Sequence, residues 1–219
     1  MPSTVVHVGL AGMMGVALLG EEFDTKAIVI VMATIAIIDL DTLIGIYFEG
    51  THRAALHNVF VVLIPGLVLL WDVKLREESY VLTRWGEYGY RVAWVSLVTV
   101  LFAHILLDAF YNGVNLFWPV HDRFYDLSGE LLISDQRGLV QTFVELESED
   151  GSAVVADSTA RGTTEDTHYR TGFDPARGEA PTDVEREFHL AESGVLFVVA
   201  VVGYLAVAYR IVEDRLSRD

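Results

Sequence analysis

The sequence contains no cysteine, which excludes disulfide bonds and thiolate metal ligands. Lysine is nearly absent as well: only Lys26 and Lys74 occur, and arginine supplies the rest of the positive charge. The formal net charge of −16 argues against nucleic acid as a partner, because nucleic-acid binding needs a basic surface. This acidic, lysine-poor composition resembles that of proteins from salt-loving archaea.

Apolar residues, by contrast, are abundant: 52% of the chain is hydrophobic, and much of it lies in long runs. A bilayer core of about 30 Å needs roughly 20 apolar residues in a helix. Five apolar segments approach that length: about 4–20, 27–47, 54–72, 90–111 and 193–212. We therefore expect an all-α membrane protein, a bundle of about five transmembrane helices. The N-terminus lacks the basic start of a cleaved signal peptide, so segment 4–20 is predicted to be a retained first helix.

The stretch between the fourth and fifth segments is polar and acidic. Three parts of it have the composition of strands, namely ELLIS (130–134), LVQTFVELE (139–147) and SAVVA (152–156). We expect a small β-containing insertion or a partly disordered loop here. The predicted domains are a four-helix membrane core at 1–120, an acidic, partly β extramembrane insertion at 121–192, and the last transmembrane helix with its tail at 193–219.

Positive charge is divided unevenly between the two faces that five crossings create. It collects around 21–26, around 73–89 and in the C-terminal tail, whereas the short loops of the other face offer mainly Arg53. By the positive-inside rule the protein is predicted to be a multi-pass protein of the cell membrane with its C-terminus in the cytoplasm and its insertion outside. A re-entrant 4–20 segment would instead carry Asp39 and Asp41 to the opposite face.

Ionisable residues inside apolar segments are costly and usually functional. In an up-and-down bundle, the starts of odd helices and the ends of even helices share one face, and the ligand-type side chains of these segments all lie there. They are His7, Asp39, Asp41, His57, His104 and Asp108, with His52 and Arg53 just outside a segment. Imidazole and carboxylate ligands suit zinc, manganese or similar divalent ions.

Each motif also has a second interpretation. His104 and Asp108 are four residues apart and so share a helix face, where they would ligate one ion, or the carboxylate would orient the imidazole, or the two would form an ion pair. Asp39 and Asp41 point in divergent directions on a straight helix. Either a metal neutralises them or the helix ends at Ile38 and they are solvated.

The densest cluster of such residues, His-Arg-Ala-Ala-Leu-His-Asn at 52–58, also allows two interpretations. The planar fork of Arg53 fits phosphate or carboxylate, which indicates a binding role. The alternative is a basic loop at the membrane boundary. His7 alone would be an ordinary interfacial histidine, and only its alignment with the other residues indicates a ligand.

In this order, the motifs resemble the YdjM-like family. The resemblance rests on the early His7, on Ile38-Asp39-Leu40-Asp41, on His-Arg-x3-His-Asn at 52–58, and on AHILLD followed by GVNLFWP within 103–119. The family is described as membrane-bound metal-dependent hydrolases, some labelled LexA-binding. The resemblance covers about 5–125 and not the insertion. Ile38 stands where the family usually has proline, and Leu56 and Asn58 replace two of its hydroxyl residues.

The resemblance implies a membrane-embedded metal-dependent hydrolase. A weaker likeness, to secreted zinc-dependent phospholipase C and related nucleases, implies phosphoester hydrolysis, so a lipid or lipid-linked phosphoester is the expected substrate. The implied cofactor is a divalent metal, zinc or alternatively manganese. The implied metal ligands are His7, Asp39, Asp41, His57, His104 and Asp108, and the implied catalytic residues are Arg53, His52 and Asp41.

Two other functions remain open from the sequence. A non-enzymatic membrane scaffold or complex subunit would keep a structural metal site and bind a protein partner through the acidic insertion at 121–192. A closed, fully ligated site would favour this function, and an open coordination position would count against it. A transporter would use the intramembrane carboxylates and histidines as a relay, but these residues lie at one face rather than across the membrane.

Overall fold

The computed structural model describes residues 2–143, 160–177 and 184–217. These residues form a mostly helical protein with a small β hairpin before the last helix, which confirms the predicted fold class. Three of its helices are long and apolar enough to cross a membrane: Thr25–Gly45, Tyr80–Tyr111 and Gly194–Leu216. The strand expected in SAVVA (152–156) lies outside the described residues.

The elements follow one another in a simple order. The helices are α1 (Thr4–Leu18), a 3-10 turn (Gly20–Glu22), α2 (Thr25–Ile38), α3 (Asp41–Gly45), α4 (Phe60–Lys74), α5 (Tyr80–Thr99), a π-helical turn (Val100–Ile105), α6 (Leu106–Tyr111) and α7 (Gly194–Leu216). Between α6 and α7, β1 (Leu131–Ser134) and β2 (Gly138–Gln141) pair antiparallel.

Four of the helices begin after a side chain that caps their first turn. Ser3, Asp24, Ser79 and Ser193 precede α1, α2, α5 and α7, and each accepts a hydrogen bond from a backbone N–H of that turn. Such caps satisfy one of the donors that a helix N-terminus leaves unpaired. These polar residues therefore fix where the apolar segments become helical.

Two helix boundaries differ from the sequence prediction. The segment expected at 54–72 becomes helical only at Phe60, because the preceding residues form turns around buried polar side chains. The segment expected at 90–111 begins earlier, at Tyr80, and Gly86 with φ 64° interrupts its helical geometry. Glycine is the residue that adopts this left-handed conformation without steric cost.

Contacts within the chain divide it into two compact units. The helical unit comprises Pro2–Leu40, Val59–His104 and Phe188–Asp219, and so contains α1, α2, α4, α5 and α7. The loop unit comprises Asp41–Asn58 and Ile105–Glu187, and so contains α3, α6 and the β hairpin.

In the helical unit, α1 packs against α2, α5 and α7, and α5 also packs against α2 and α4. Buried aliphatic side chains such as Ile28, Val31 and Val95 form the core. Large apolar side chains remain exposed on α4 and α7, among them Leu67 and Phe197. Extensive exposed apolar surface marks a membrane or protein contact, and on α7 it belongs to a helix long and apolar enough to cross a membrane.

Two glycines bring the backbones of α1 and α7 together. A Cβ atom on Gly203 would lie 2.0 Å from the carbonyl oxygen of Gly9, and a Cβ atom on Gly9 would lie 2.9 Å from Cα of Ala200. Small residues allow membrane helices to approach this closely. Any larger side chain at position 203 would force the two helices apart.

We expect Gly203→Ala to destabilise the protein by about 1–3 kcal/mol, the usual cost of overpacking a tight contact. The measurement is denaturant-induced unfolding of the purified protein in detergent. Gly194→Ala is the matched control, because it lies on the same helix and a Cβ there meets nothing within 4 Å. Equal stability of the two variants would contradict the close packing of α1 and α7.

Candidate metal centre

Asp41 holds two histidines of the loop unit through its two carboxylate oxygens. Oδ1 accepts a hydrogen bond from Nδ1 of His52 at 2.8 Å, and Oδ2 accepts one from Nδ1 of His57 at 2.6 Å. The backbone N–H of Arg53 adds a third hydrogen bond at 3.1 Å. Because each ring carries its proton on Nδ1, its lone pair lies on Nε2, as in the carboxylate–histidine–metal arrangement of many metal sites.

Asp108 stands on the other side of the His57 ring. Its Oδ2 lies 3.4 Å from Nε2 of His57, and its Oδ1 accepts a hydrogen bond from Nη2 of Arg53 at 2.7 Å. Nη1 of Arg53 donates to the carbonyl oxygen of Gly113 at 3.0 Å. Asp41, His57, Asp108 and Arg53 are all buried, so the polar cluster of the loop unit is shielded from solvent.

Arg53 adopts a backbone conformation that only glycine usually takes, with φ 62°. A non-glycine residue keeps such a conformation only where the surrounding structure holds it, often at a functional site. Here its backbone N–H is fixed by Asp41 and its carbonyl oxygen accepts from the N–H of Asn115 at 2.9 Å. Both ends of this residue are therefore constrained.

Tyr169 covers Arg53 from within the insertion. The guanidinium carbon lies 4.9 Å from the centre of the Tyr169 ring, and the Tyr169 hydroxyl donates to the carbonyl oxygen of Asn112 at 2.9 Å. Burial raises the pKa of Tyr169 above its ordinary value, so the hydroxyl stays protonated and remains a donor. Sequence reasoning missed this residue, because a single tyrosine in a polar stretch carries no signal.

The helical unit holds a second imidazole–carboxylate pair. Nε2 of His104 lies 3.3 Å from Oδ1 of Asp39, and the His104 ring stacks on that of His7 with centroids 4.1 Å apart. Nδ1 of His7 lies 2.7 Å from the carbonyl oxygen of Ala103, which assigns the ring proton to Nδ1. The hydroxyl of Thr4 donates to the other oxygen of Asp39.

His104 sits in the π-helical turn Val100–Ile105, which separates α5 from α6. Single π turns inside α-helices are rare and occur frequently at functional sites. The turn inserts a residue into the helical repeat and thereby changes the direction in which His104 points. No feature of the sequence predicts it.

The structure also bears on the open interpretations of the motifs. The helix α2 does end at Ile38, but Asp41 is fully buried rather than solvated, and only Asp39 is partly exposed. The stretch at 52–58 is not a solvated basic loop, because its histidines, its arginine and Asn58 are buried. Both motifs are therefore parts of a packed interior.

The donor set fits a divalent cation. Two ligands with bonds of about 2.0–2.1 Å to a tetrahedral zinc ion lie roughly 3.4 Å apart. The separations of 3.4 Å between His57 and Asp108 and of 3.3 Å between His104 and Asp39 match that value. Both are longer than the about 2.9–3.0 Å typical of an N–H···O hydrogen bond. The His and Asp side chains that could hold a metal ion include five of the six predicted ligands: His7, His57, His104 and Asp108, which are buried, and Asp39, which is partly exposed.

Comparison with known proteins identifies the family of the chain. The family model described as YdjM inner membrane protein matches residues 1–212. The chain belongs to the YdjM family. This confirms the resemblance inferred from the motifs and extends it well beyond 5–125, across the insertion and most of α7. No curated protein and no solved structure shows a significant match to the chain.

Replacing Arg53 by methionine should destabilise this YdjM-family protein by about 3–5 kcal/mol, because it removes one partner of a buried ion pair with Asp108. Denaturant titration in detergent measures the change. Arg177→Met is the control: Arg177 pairs with Glu49 in the same unit, but both side chains are about half exposed, so the loss should be about 1 kcal/mol or less. Similar losses in both variants would contradict a structural role for the Arg53–Asp108 pair.

Proposed function

We propose that this YdjM-family protein is a membrane-embedded metal-dependent hydrolase that cleaves a phosphoester in a lipid or lipid-linked substrate. The proposal rests on the spacing of imidazole and carboxylate groups, which matches that of two ligands on one metal ion: 3.4 Å between the buried His57 and Asp108, and 3.3 Å between the buried His104 and the partly exposed Asp39. The order of the motifs, with its likeness to zinc-dependent phospholipase C, supports a phosphoester as the bond that is cleaved.

The proposed metal ligands are His57 and Asp108 in the loop unit and His104, Asp39 and His7 in the helical unit, and the proposed metal is zinc, with manganese as the alternative. Imidazole nitrogen and carboxylate oxygen without thiolate are common donors for both ions. A divalent ion held by such a pair would supply a water nucleophile of lowered pKa and a Lewis acid for a phosphoryl oxygen. We assign the other polar side chains of the loop unit to orienting the ligands, transferring protons and stabilising negative charge.

Asp41 orients both histidines of the loop unit. The sequence indicated Asp41 as a direct ligand and catalytic residue, but its two oxygens already accept from His52 and His57. We assign it the task of fixing the ring planes and increasing the electron density on Nε2, which is what carboxylates behind metal-bound histidines do. The hydroxyl of Thr42, 3.1 Å from Nδ1 of His52, supports the same ring position.

His52 is the residue we assign to proton transfer. Its Nε2 is buried and has no hydrogen-bond partner among the residues that the structure describes. Because Nδ1 donates to Asp41, this Nε2 can accept a proton from a water or return one to a leaving oxygen. An imidazole held by a carboxylate in this way is a common general base.

Arg53 is proposed to stabilise negative charge. Its two terminal nitrogens hold Asp108 and the carbonyl oxygen of Gly113, while its Nε has no hydrogen-bond partner in the described part of the chain. Arg53 therefore fixes the position of Asp108, and its Nε–H remains available to donate a hydrogen bond to a substrate. A fixed, buried guanidinium is effective at stabilising charge that develops on a phosphoryl group.

Metal binding is the first test. The purified wild-type protein should contain stoichiometric zinc or manganese by elemental analysis, and His57→Ala should lose it. Asp41→Asn should bind the metal about 10–100-fold more weakly, because the histidines lose their orienting acceptor. His121→Ala, an exposed histidine, is the control that should retain wild-type metal content. A wild-type protein that neither contains nor binds a divalent metal would refute the proposal.

Turnover is the second test. Phospholipids and lipid-linked diphosphates are incubated with the protein in mixed micelles, and released phosphate groups are followed by phosphorus NMR. We expect His57→Ala to lose both metal and turnover, and His52→Ala to keep the metal but lose turnover, because it removes only the proton-transfer group. Wild-type turnover in His52→Ala would exclude the role that we assign to that residue.

The burial of the loop-unit cluster favours one alternative, a scaffold or complex subunit with a structural metal site. His57 and Arg53 are fully buried and Asp108 almost so. If this alternative holds, removing the metal lowers the unfolding temperature while no tested phosphoester is hydrolysed. Both functions thus predict that the protein binds a metal, but only the hydrolase predicts that it cleaves a phosphoester.

A further inference from the structure

The β hairpin carries an apolar face that no other described residue covers. β1 and β2 pair with Ile133 opposite Leu139. Successive residues of a strand point to opposite faces of the sheet, so every second residue lies on the same face. Leu131, Ile133 and Leu139 are 63%, 85% and 73% exposed. Three large aliphatic side chains on so short a hairpin are unusual for a surface in contact with water.

The opposite face of the hairpin is less exposed. Leu132 and Val140, which pair across the strands, are both half-buried. Both faces of the hairpin therefore carry apolar side chains, and those of the outer face are the more exposed. The outer face also carries one polar residue, Gln141, opposite Leu131. At the tip, the hydroxyl oxygen of Ser134 accepts from the backbone N–H groups of Gln136 and Arg137.

Two contacts hold the base of the hairpin at the end of a segment that is long and apolar enough to cross a membrane. The backbone N–H of Leu127 donates to the carbonyl oxygen of Ala109 at 2.7 Å. The ring of Phe143, just after β2, packs edge-to-face on Phe110 with centroids 5.2 Å apart. Ala109 and Phe110 belong to the last turn of the apolar segment Tyr80–Tyr111. A four-residue strand reaches only about 13 Å, so the whole hairpin stays near that end.

We propose that the exposed face of the hairpin, Leu131, Ile133 and Leu139, lies in the lipid interface of the bilayer. Phe110 is itself 41% exposed at the end of a segment long and apolar enough to cross a membrane, so the hairpin lies beside a surface suited to lipid. Arg137 at the tip is a long cationic side chain, which can extend to lipid phosphates while the strands remain among the acyl carbons nearest to them. The inference is independent of the metal and of the hydrolase activity.

The absence of cysteine makes a direct test simple. Single cysteines replace Ile133 and Leu139, both highly exposed, so the fold should tolerate the change. Glu165→Cys is the matched control, because it is exposed in the same loop unit but lies in a polar stretch. Each full-length variant is spin-labelled and reconstituted into phospholipid vesicles, and electron paramagnetic resonance measures label accessibility to oxygen and to a water-soluble nickel complex.

Oxygen concentrates in the bilayer and the nickel complex in water, so their ratio reports the surroundings of the label. We expect oxygen to exceed the nickel complex at positions 133 and 139, and the reverse at position 165. Nickel accessibility at 133 and 139 equal to that at 165 would overturn the inference and place the hairpin in water. Labels at 133 and 139 that neither reagent reaches, with spin–spin broadening that disappears on dilution in lipid, would overturn it in favour of a contact with a second copy.

Discussion

The polar interior of the loop unit depends on a single buried carboxylate, Asp41. A carboxylate without partners in an apolar interior is very costly, so the chain must bring donors to it. It does so with the Nδ1 atoms of His52 and His57 and with the backbone N–H of Arg53. Meeting this requirement wraps residues 52–58 around Asp41, which explains why α4 cannot begin before Phe60.

Arg53 connects Asp41 to the rest of the loop unit. Its side chain fixes Asp108 on α6, its carbonyl oxygen holds the N–H of Asn115, and its guanidinium lies against Tyr169 of the insertion. The insertion is held at a further point, where Gly50 approaches Thr164 so closely that a Cβ would lie 1.9 Å from the Thr164 carbonyl oxygen. Residues distant in sequence therefore share one network of hydrogen bonds and backbone contacts.

The sequence predicted the parts of this protein that depend on composition and spacing. Apolar length indicated the helices, and capping serines and an aspartate mark where most of them start. Ligand-type residues stood out because an ionisable side chain is expensive in an apolar segment. The pairing of these residues could not be predicted: that Asp41 faces two rings follows from the path of the 52–58 turns, and the position of His104 follows from a π turn that no residue pattern indicates. Tyr169 carries no signal because its partner Arg53 is 116 positions away in the chain.

The charge balance of the loop-unit cluster bears on what the cluster holds. Two carboxylates, Asp41 and Asp108, face one guanidinium, Arg53, so with neutral histidines the buried cluster carries one net negative charge. A cation or a protonated histidine, His52 or His57, would compensate it, since a buried net charge is unfavourable. A protonated imidazole would draw both carboxylates to about 2.7–2.9 Å. Nδ1 of His57 is that close to Asp41, at 2.6 Å, whereas Nε2 stays 3.4 Å from Asp108. This asymmetry fits an unprotonated Nε2 on His57, which leaves that nitrogen and the Asp108 carboxylate able to hold a cation between them.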